Sequence, residues 1–198
     1  MRLRQLIALA GLVLATGLSS PTAAQETQAP QLHAATGLAF PSNIADAHLV
    51  RWNDYGQSAQ QPALGFSYQY QIAGRLVATV YVYDANQRVP PGADNAVVAA
   101  QFAQATGDIE RVAQQTGRYR DLRLVSGPTN CTYGLITFRC ATYTAIATAQ
   151  NRQIFTALLV SGYRAHFLKL RLDWPQEGGM VAADVDRFLQ TLVGAIVH

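Results

Sequence analysis

Two periodicities divide the chain. Between residues 65 and 72, apolar Phe66, Tyr68, Tyr70 and Ile72 alternate with polar Ser67, Gln69 and Gln71, the period of two that marks a strand with one buried face. Ala73-Gly74 suits a tight turn. Residues 76–83 are β-branched and aromatic, and read as the partner strand of a hairpin. A loop of turn formers occupies 84–91. From Asp94 the period changes: Val98, Phe102, Ala105, Ile109 and Val112 fall on one face of a helix. Asp94 is placed to cap that helix and Gly117 to end it.

Strand signals return at 122–126, with Gly127-Pro128 as a turn, and then at 135–146, 152–160 and 165–173. Trp174-Pro175 ends the last of them, because proline cannot continue a ladder. A final helix spans about 180–196, with Val181, Val185, Phe188, Leu192 and Ile196 as its buried stripe. Residues 38–52 are weakly patterned, with a short helical turn expected near 43–47. Short links between consecutive strands imply antiparallel pairing. The fold class expected is therefore α+β: a single antiparallel sheet of about six strands with two long helices packed on it, forming one domain over residues 37–198.

In this order of elements, the stretches Tyr81-Val82-Tyr83-Asp84 and Phe167-Leu168-Lys169-Leu170-Arg171-Leu172-Asp173-Trp174-Pro175 resemble a group of secreted bacterial proteins of unknown function. The order itself is similar to the PsbP-like fold. The resemblance implies a non-catalytic accessory or binding module, and it brings no matched functional residue.

The amino terminus changes how the charge is read. Met1-Arg2-Leu3-Arg4 precedes an apolar run over 6–18, and small residues lead to Ala24. This is the pattern of a secretory signal peptide over residues 1–24, too short an apolar run for a membrane span. A flexible tether is expected over 25–36. The whole chain of 198 residues carries a formal charge of +3. Cleavage after Ala24 removes Arg2 and Arg4, leaving 13 basic against 12 acidic side chains, a net +1. No nucleic-acid partner is expected at that balance, which lacks the basic stripe that phosphates require. With 49% hydrophobic and 14% charged residues, the chain has the composition of a folded domain and not of a disordered one. No second run reaches the length of a transmembrane span. The expected location is periplasmic or secreted.

Cys131 and Cys140 are the only cysteines, with eight residues between them. An exported chain with two cysteines points to a disulfide. His33, His48, His166 and His198 are scattered without the spacing of a ligand pair, so neither a metal nor a cofactor is expected. The chain has no Gly-x-Ser-x-Gly elbow, no His-Glu-x-x-His helix and no phosphate loop.

The most informative pattern is a sheet face. Along 165–173, His166, Leu168, Leu170 and Leu172 alternate with Phe167, Lys169, Arg171 and Asp173. The leucines must face the core. Lys169, the only lysine in the chain, then points outward beside Arg171. On 135–146 the alternate residues Thr137, Arg139, Ala141 and Tyr143 form a comparable face. If the two faces lie on one side, Arg139, Tyr143, Lys169 and Arg171 make a cationic, aromatic-flanked surface able to hold a carboxylate or phosphate. Tyr81 and Tyr83 share a strand face and are expected to cluster with Tyr68 and Tyr70. The functional expectation is an exported non-enzymatic domain binding a small anionic molecule or a cell-envelope protein. The alternative is a hydrolase whose site is assembled from scattered residues such as Ser161, His166 and Asp173.

Overall fold

The computed structural model describes residues 30–197, so residues 1–24, expected to form a signal peptide, lie outside the described residues. The six strands read from the sequence are all present, but they are not the whole sheet. Ten strands form: β1 (Gln31–His33), β2 (Leu38–Phe40), β3 (Asn43–Ile44), β4 (Ala47–Asp54), β5 (Phe66–Ile72), β6 (Leu76–Tyr83), β7 (Tyr119–Tyr133), β8 (Ile136–Ala147), β9 (Arg152–Tyr163) and β10 (His166–Pro175). β1 and β2 make a two-stranded ribbon, and the rest form one antiparallel sheet in the order β3-β4-β5-β6-β10-β9-β8-β7. Three helices accompany them: α1 (Tyr55–Ser58), α2 (Ala96–Thr116) and α3 (Ala182–Ile196).

The expectation of an α+β fold with one six-stranded sheet is therefore corrected. The protein is mostly strand, about 49% against 26% helix, in an eight-stranded and a two-stranded sheet. Three of the four missed strands are short, and the fourth, β4, carries a register shift between Leu49 and Arg51 that interrupts its alternation. β1, β2 and β3 have two or three residues each, too few to show a period of two. In place of a helical turn, residues 43–47 form the β3–β4 hairpin, turned at Ala45 with φ of 49°. Residues 31–33, expected within the tether, pair with residues 38–40. Gly127-Pro128, expected as a turn, lies inside β7, where register shifts mark bulges. Proline is tolerated there because β7 is the outermost strand and its free side needs no ladder donor.

Both faces of the sheet carry a helix. On one face, Leu168, Leu170 and Leu172 are at most 1% exposed and pack with Val80, Val82, Phe138 and the Val185, Phe188 and Leu192 stripe of α3. The opposite face packs α2 through Val98, Phe102, Ala105 and Ile109 onto Ala141, Tyr143, Leu158, Val160 and Phe167. The Asn95 side chain caps α2 by accepting from the Val98 N–H, and Gly117 ends it in the left-handed conformation that glycine adopts without a Cβ clash. α2 packs against β7, β8 and β9. It therefore covers only part of its face.

The Cys131–Cys140 disulfide is formed, with Cα atoms 6.1 Å apart. Cys131 pairs with Phe138, two residues from Cys140 on the same strand, so the bond crosses the β7–β8 hairpin diagonally. The hairpin tip is held to α3: the Tyr133 hydroxyl donates to Asp186 at 2.8 Å and the Gly134 N–H to Gln190 at 2.7 Å. Among the described residues, no helix is long and apolar enough to cross a membrane.

Candidate functional site

The charged alternates of β10 fall on the α2 face of the sheet. Register fixes their neighbours. Lys169 pairs with Tyr81, Arg171 with Thr79 and Asp173 with Val77 on β6. These pair in turn with Ser67, Gln69 and Gln71 on β5, and Ser67 and Gln69 with Asn53 and Arg51 on β4. Cross-strand partners share a face. The result is a grid: Asn53–Ser67–Tyr81–Lys169, Arg51–Gln69–Thr79–Arg171, and Gln71–Val77–Asp173. Nearly every position is polar, and all but exposed Arg51 are half-buried. This half of the face lies beside α2, not beneath it.

α2 thus divides the cationic surface expected from the sequence. Arg139 and Tyr143 do share the face with Lys169 and Arg171, since Arg139 pairs with Val160 and Val160 with Lys169. They are not brought together. The Arg139 guanidinium lies over the Phe102 ring of α2, 5.7 Å from its centroid. Tyr143 is buried in the apolar cluster under α2. Lys169 and Arg171 stand on the other side of β9, in the open half.

Nor is Lys169 the outward, solvated charge expected. Its ammonium lies 4.4 Å from the Tyr81 ring centroid and 5.2 Å from that of Tyr83, a cation–π arrangement. Burial lowers its pKa to about 8 against the opposing pull of Asp108. Burial likewise raises the pKa of Tyr81 and Tyr83. The expected cluster with Tyr68 and Tyr70 does not form. Those two pair with Val80 and Ala78 and lie in the core on the α3 side, where Tyr68 stacks on Phe40 at 3.6 Å.

At the Asp173 end the grid opens into a cleft of about 650 Å³. Two hairpin turns, the end of β10 and the α2–β7 junction surround it. Ile72, Leu76, Ile154 and Trp174 supply apolar wall, and Arg75, Arg118 and Arg152 are its cations. Asp173 is the only acidic side chain in the lining. Tyr119 ties this end together. Its hydroxyl donates to Asp173 Oδ2 at 2.9 Å, and the guanidinium groups of Arg118 and Arg171 lie 5.4 Å and 5.7 Å from its ring centroid. Burial first, and then the Asp173 carboxylate, push its pKa up to about 12, so Tyr119 stays a hydrogen-bond donor at neutral pH. Asp173 Oδ1 and Arg171 Nε are buried without a partner.

The three cleft arginines were not singled out from the sequence. Each directly follows a left-handed turn residue: Gly74 (φ 67°), Gly117 (φ 61°) and Asn151 (φ 46°). An arginine at that position in successive turns of one sheet end is the signal that could have found them.

The scattered hydrolase residues are not assembled. Ser161 is fully buried and pairs with Leu168 on the α3 face, its hydroxyl donating to the Thr137 carbonyl at 2.7 Å. His166 lies at one end of β10 and Asp173 at the other, seven residues away. At about 3.3 Å per residue that is roughly 23 Å, with the two side chains on opposite faces. His166 instead meets buried His33, ring centroids 5.4 Å apart. Burial and then His166 lower the His33 pKa to about 4. Among the described residues, no group of three or more His, Cys, Asp or Glu side chains is placed to hold a metal ion.

Comparison of the chain with family models, with curated proteins and with solved structures finds no match.

Proposed function

We propose that this chain is an exported, non-enzymatic domain, working in the periplasm or outside the cell, whose cleft at the Asp173 end of the sheet binds a small anionic molecule. One observation carries the reading: three arginines ring a 650 Å³ cleft with apolar walls, and a single carboxylate stands among them. Clefts of this size with a few convergent polar groups are the usual form of a ligand site. Guanidinium groups bind carboxylate and phosphate through paired, charge-assisted hydrogen bonds. The Cys131–Cys140 bond supports an oxidising location. The accessory or binding role implied by the PsbP-like resemblance points the same way.

Phenyl phosphate, an anion on an apolar ring, is a suitable probe. Calorimetric titration is expected to show saturable binding. Replacing Arg75, Arg118 and Arg152 together by alanine should weaken it at least about tenfold, the size of one charge-assisted hydrogen bond. Arg123→Ala, on exposed β7 outside the cleft, should leave it unchanged. No saturable binding, or undiminished binding by the triple variant, would overturn the reading.

A further inference from the structure

The cleft continues into the polar grid, and the grid has the chemistry of a recognition surface. Among the described residues two ion pairs form, Arg111–Asp108 and Arg187–Asp184. Neither uses Arg51, Arg75, Arg118, Arg152, Lys169 or Arg171. Six cations therefore border one continuous surface whose only carboxylate in the grid and cleft is Asp173. Between them stand amide and hydroxyl groups, Asn53, Ser67, Gln69, Gln71 and Thr79, which both donate and accept. Tyr81 adds an aromatic ring, and Tyr55 another, its hydroxyl 3.3 Å from that of Ser67. The row from Lys169 to Asp173 is about 13 Å long, and the four strands from β4 to β10 span about 14 Å. A surface of those dimensions exceeds what one small anion covers.

The backbone narrows the class of occupant. β5, β6 and β10 are each paired on both sides, so this surface offers side chains only. A peptide that binds by adding a strand needs a free sheet edge; β3 pairs only with Ala47 and His48, so that edge lies along the outer side of β4 and not on the face that the grid presents. The grid also has no apolar pocket for alternate side chains. What it offers is a field of donors and acceptors, tyrosine rings and cations that form no ion pair. Hydroxyl groups satisfy the first, ring faces the second, and carboxylate or phosphate substituents the third.

From this arrangement we infer that the occupant is an acidic oligosaccharide, seated with one acidic unit among the cleft arginines and the remaining units along the grid toward Lys169 and Arg51. The inference rests on the cleft being a binding site and extends it. Asp173 and Gln71, shared by cleft and grid, form the junction.

Titration of the mature chain with galacturonate, trigalacturonate, neutral maltotriose and hexaglutamate tests this, with phenyl phosphate as the cleft probe. Trigalacturonate is expected to bind at least about tenfold more tightly than galacturonate, because each added contact on one molecule raises the effective concentration of the next. The double variant Arg51→Ala/Gln69→Ala removes a side-chain pair joined at 3.0 Å at the far edge of the grid. It should weaken trigalacturonate about fivefold and leave phenyl phosphate unaffected. Equal affinity for the monomer and trimer, or maltotriose or hexaglutamate binding as tightly as trigalacturonate, would overturn the inference. If phenyl phosphate binds while trigalacturonate does not, the oligosaccharide is wrong and the cleft stands. If neither binds, both readings fall.

Discussion

The two halves of the α2 face are built on the same strands' alternation and have opposite fates. Under α2, the side chains from β8, β9 and the start of β10 are Ala141, Tyr143, Leu158, Val160 and Phe167, all buried. Beside α2, the same face of β4, β5, β6 and the rest of β10 carries Arg51, Gln69, Thr79, Lys169 and Arg171. One face of one sheet thus changes from core to a polar, half-buried surface within a single strand, between Phe167 and Lys169. The comparison teaches that burial here is decided by what lies over a strand and not by the strand's own pattern. An amphipathic helix that covers half a face needs apolar side chains only beneath it.

This contrast sets the sizes of mutational effects. The largest belongs to the covered half. Phe167→Ala should cost about 3–5 kcal/mol, the range for truncating a fully buried aromatic, whereas Gln69→Ala in the open half should stay within about 0.5 kcal/mol. Urea denaturation of the two variants measures the difference, and comparable losses would mean that both halves are core. Next in size is the disulfide at the tip of the β7–β8 hairpin, on the α3 face of the sheet. Replacing both cysteines by serine should lower stability by roughly 2.5 kcal/mol, from the loop-closure entropy of its eight intervening residues. The fold should persist at room temperature, because α3 still holds the hairpin through Asp186 and Gln190. Near-ultraviolet circular dichroism and thermal melting check both statements.

The smallest effect sharpens the boundary itself. Lys169 has a pKa of about 8 in the folded protein against 10.5 for the free side chain. Between those values the unfolded chain binds the extra proton, so stability should fall as pH drops from about 10.5 to 8 and level off below 8. The contribution should be near 1 kcal/mol, discounted for partial exposure, and Lys169→Met should abolish it. A stability profile unchanged by that substitution would place the ammonium in solvent, as the sequence alone had suggested.

How far the sequence carries the fold follows from lengths. β5, β8, β10, α2 and α3 repeat their period, and β6 and β9 are apolar, β-branched runs between turn signals, so these were legible. β1, β2 and β3 are too short to repeat it, and the bulges of β4 and β7 interrupt their alternation. For the site, the alternation that sets Arg139 with Tyr143 and Lys169 with Arg171 was legible because it is local, whereas their common side of the sheet is set by the pairing of β8 and β10 to β9. The position of α2 over half of that face was not, since layer packing joins residues far apart in the chain. Arg75, Arg118 and Arg152 lie in three separate turns and meet only because the antiparallel order returns those turns to one sheet end.

Mapping amide chemical shifts of the isotope-labelled mature chain during titration with trigalacturonate tests the central claim most directly. The account predicts changes concentrated at Arg75, Arg118 and Arg152 and running along Gln71, Thr79 and Gln69 toward Arg51, with Leu158 and Val160 unmoved. Shifts confined to the α3 face or to β7, or no shifts at saturating sugar, would contradict it.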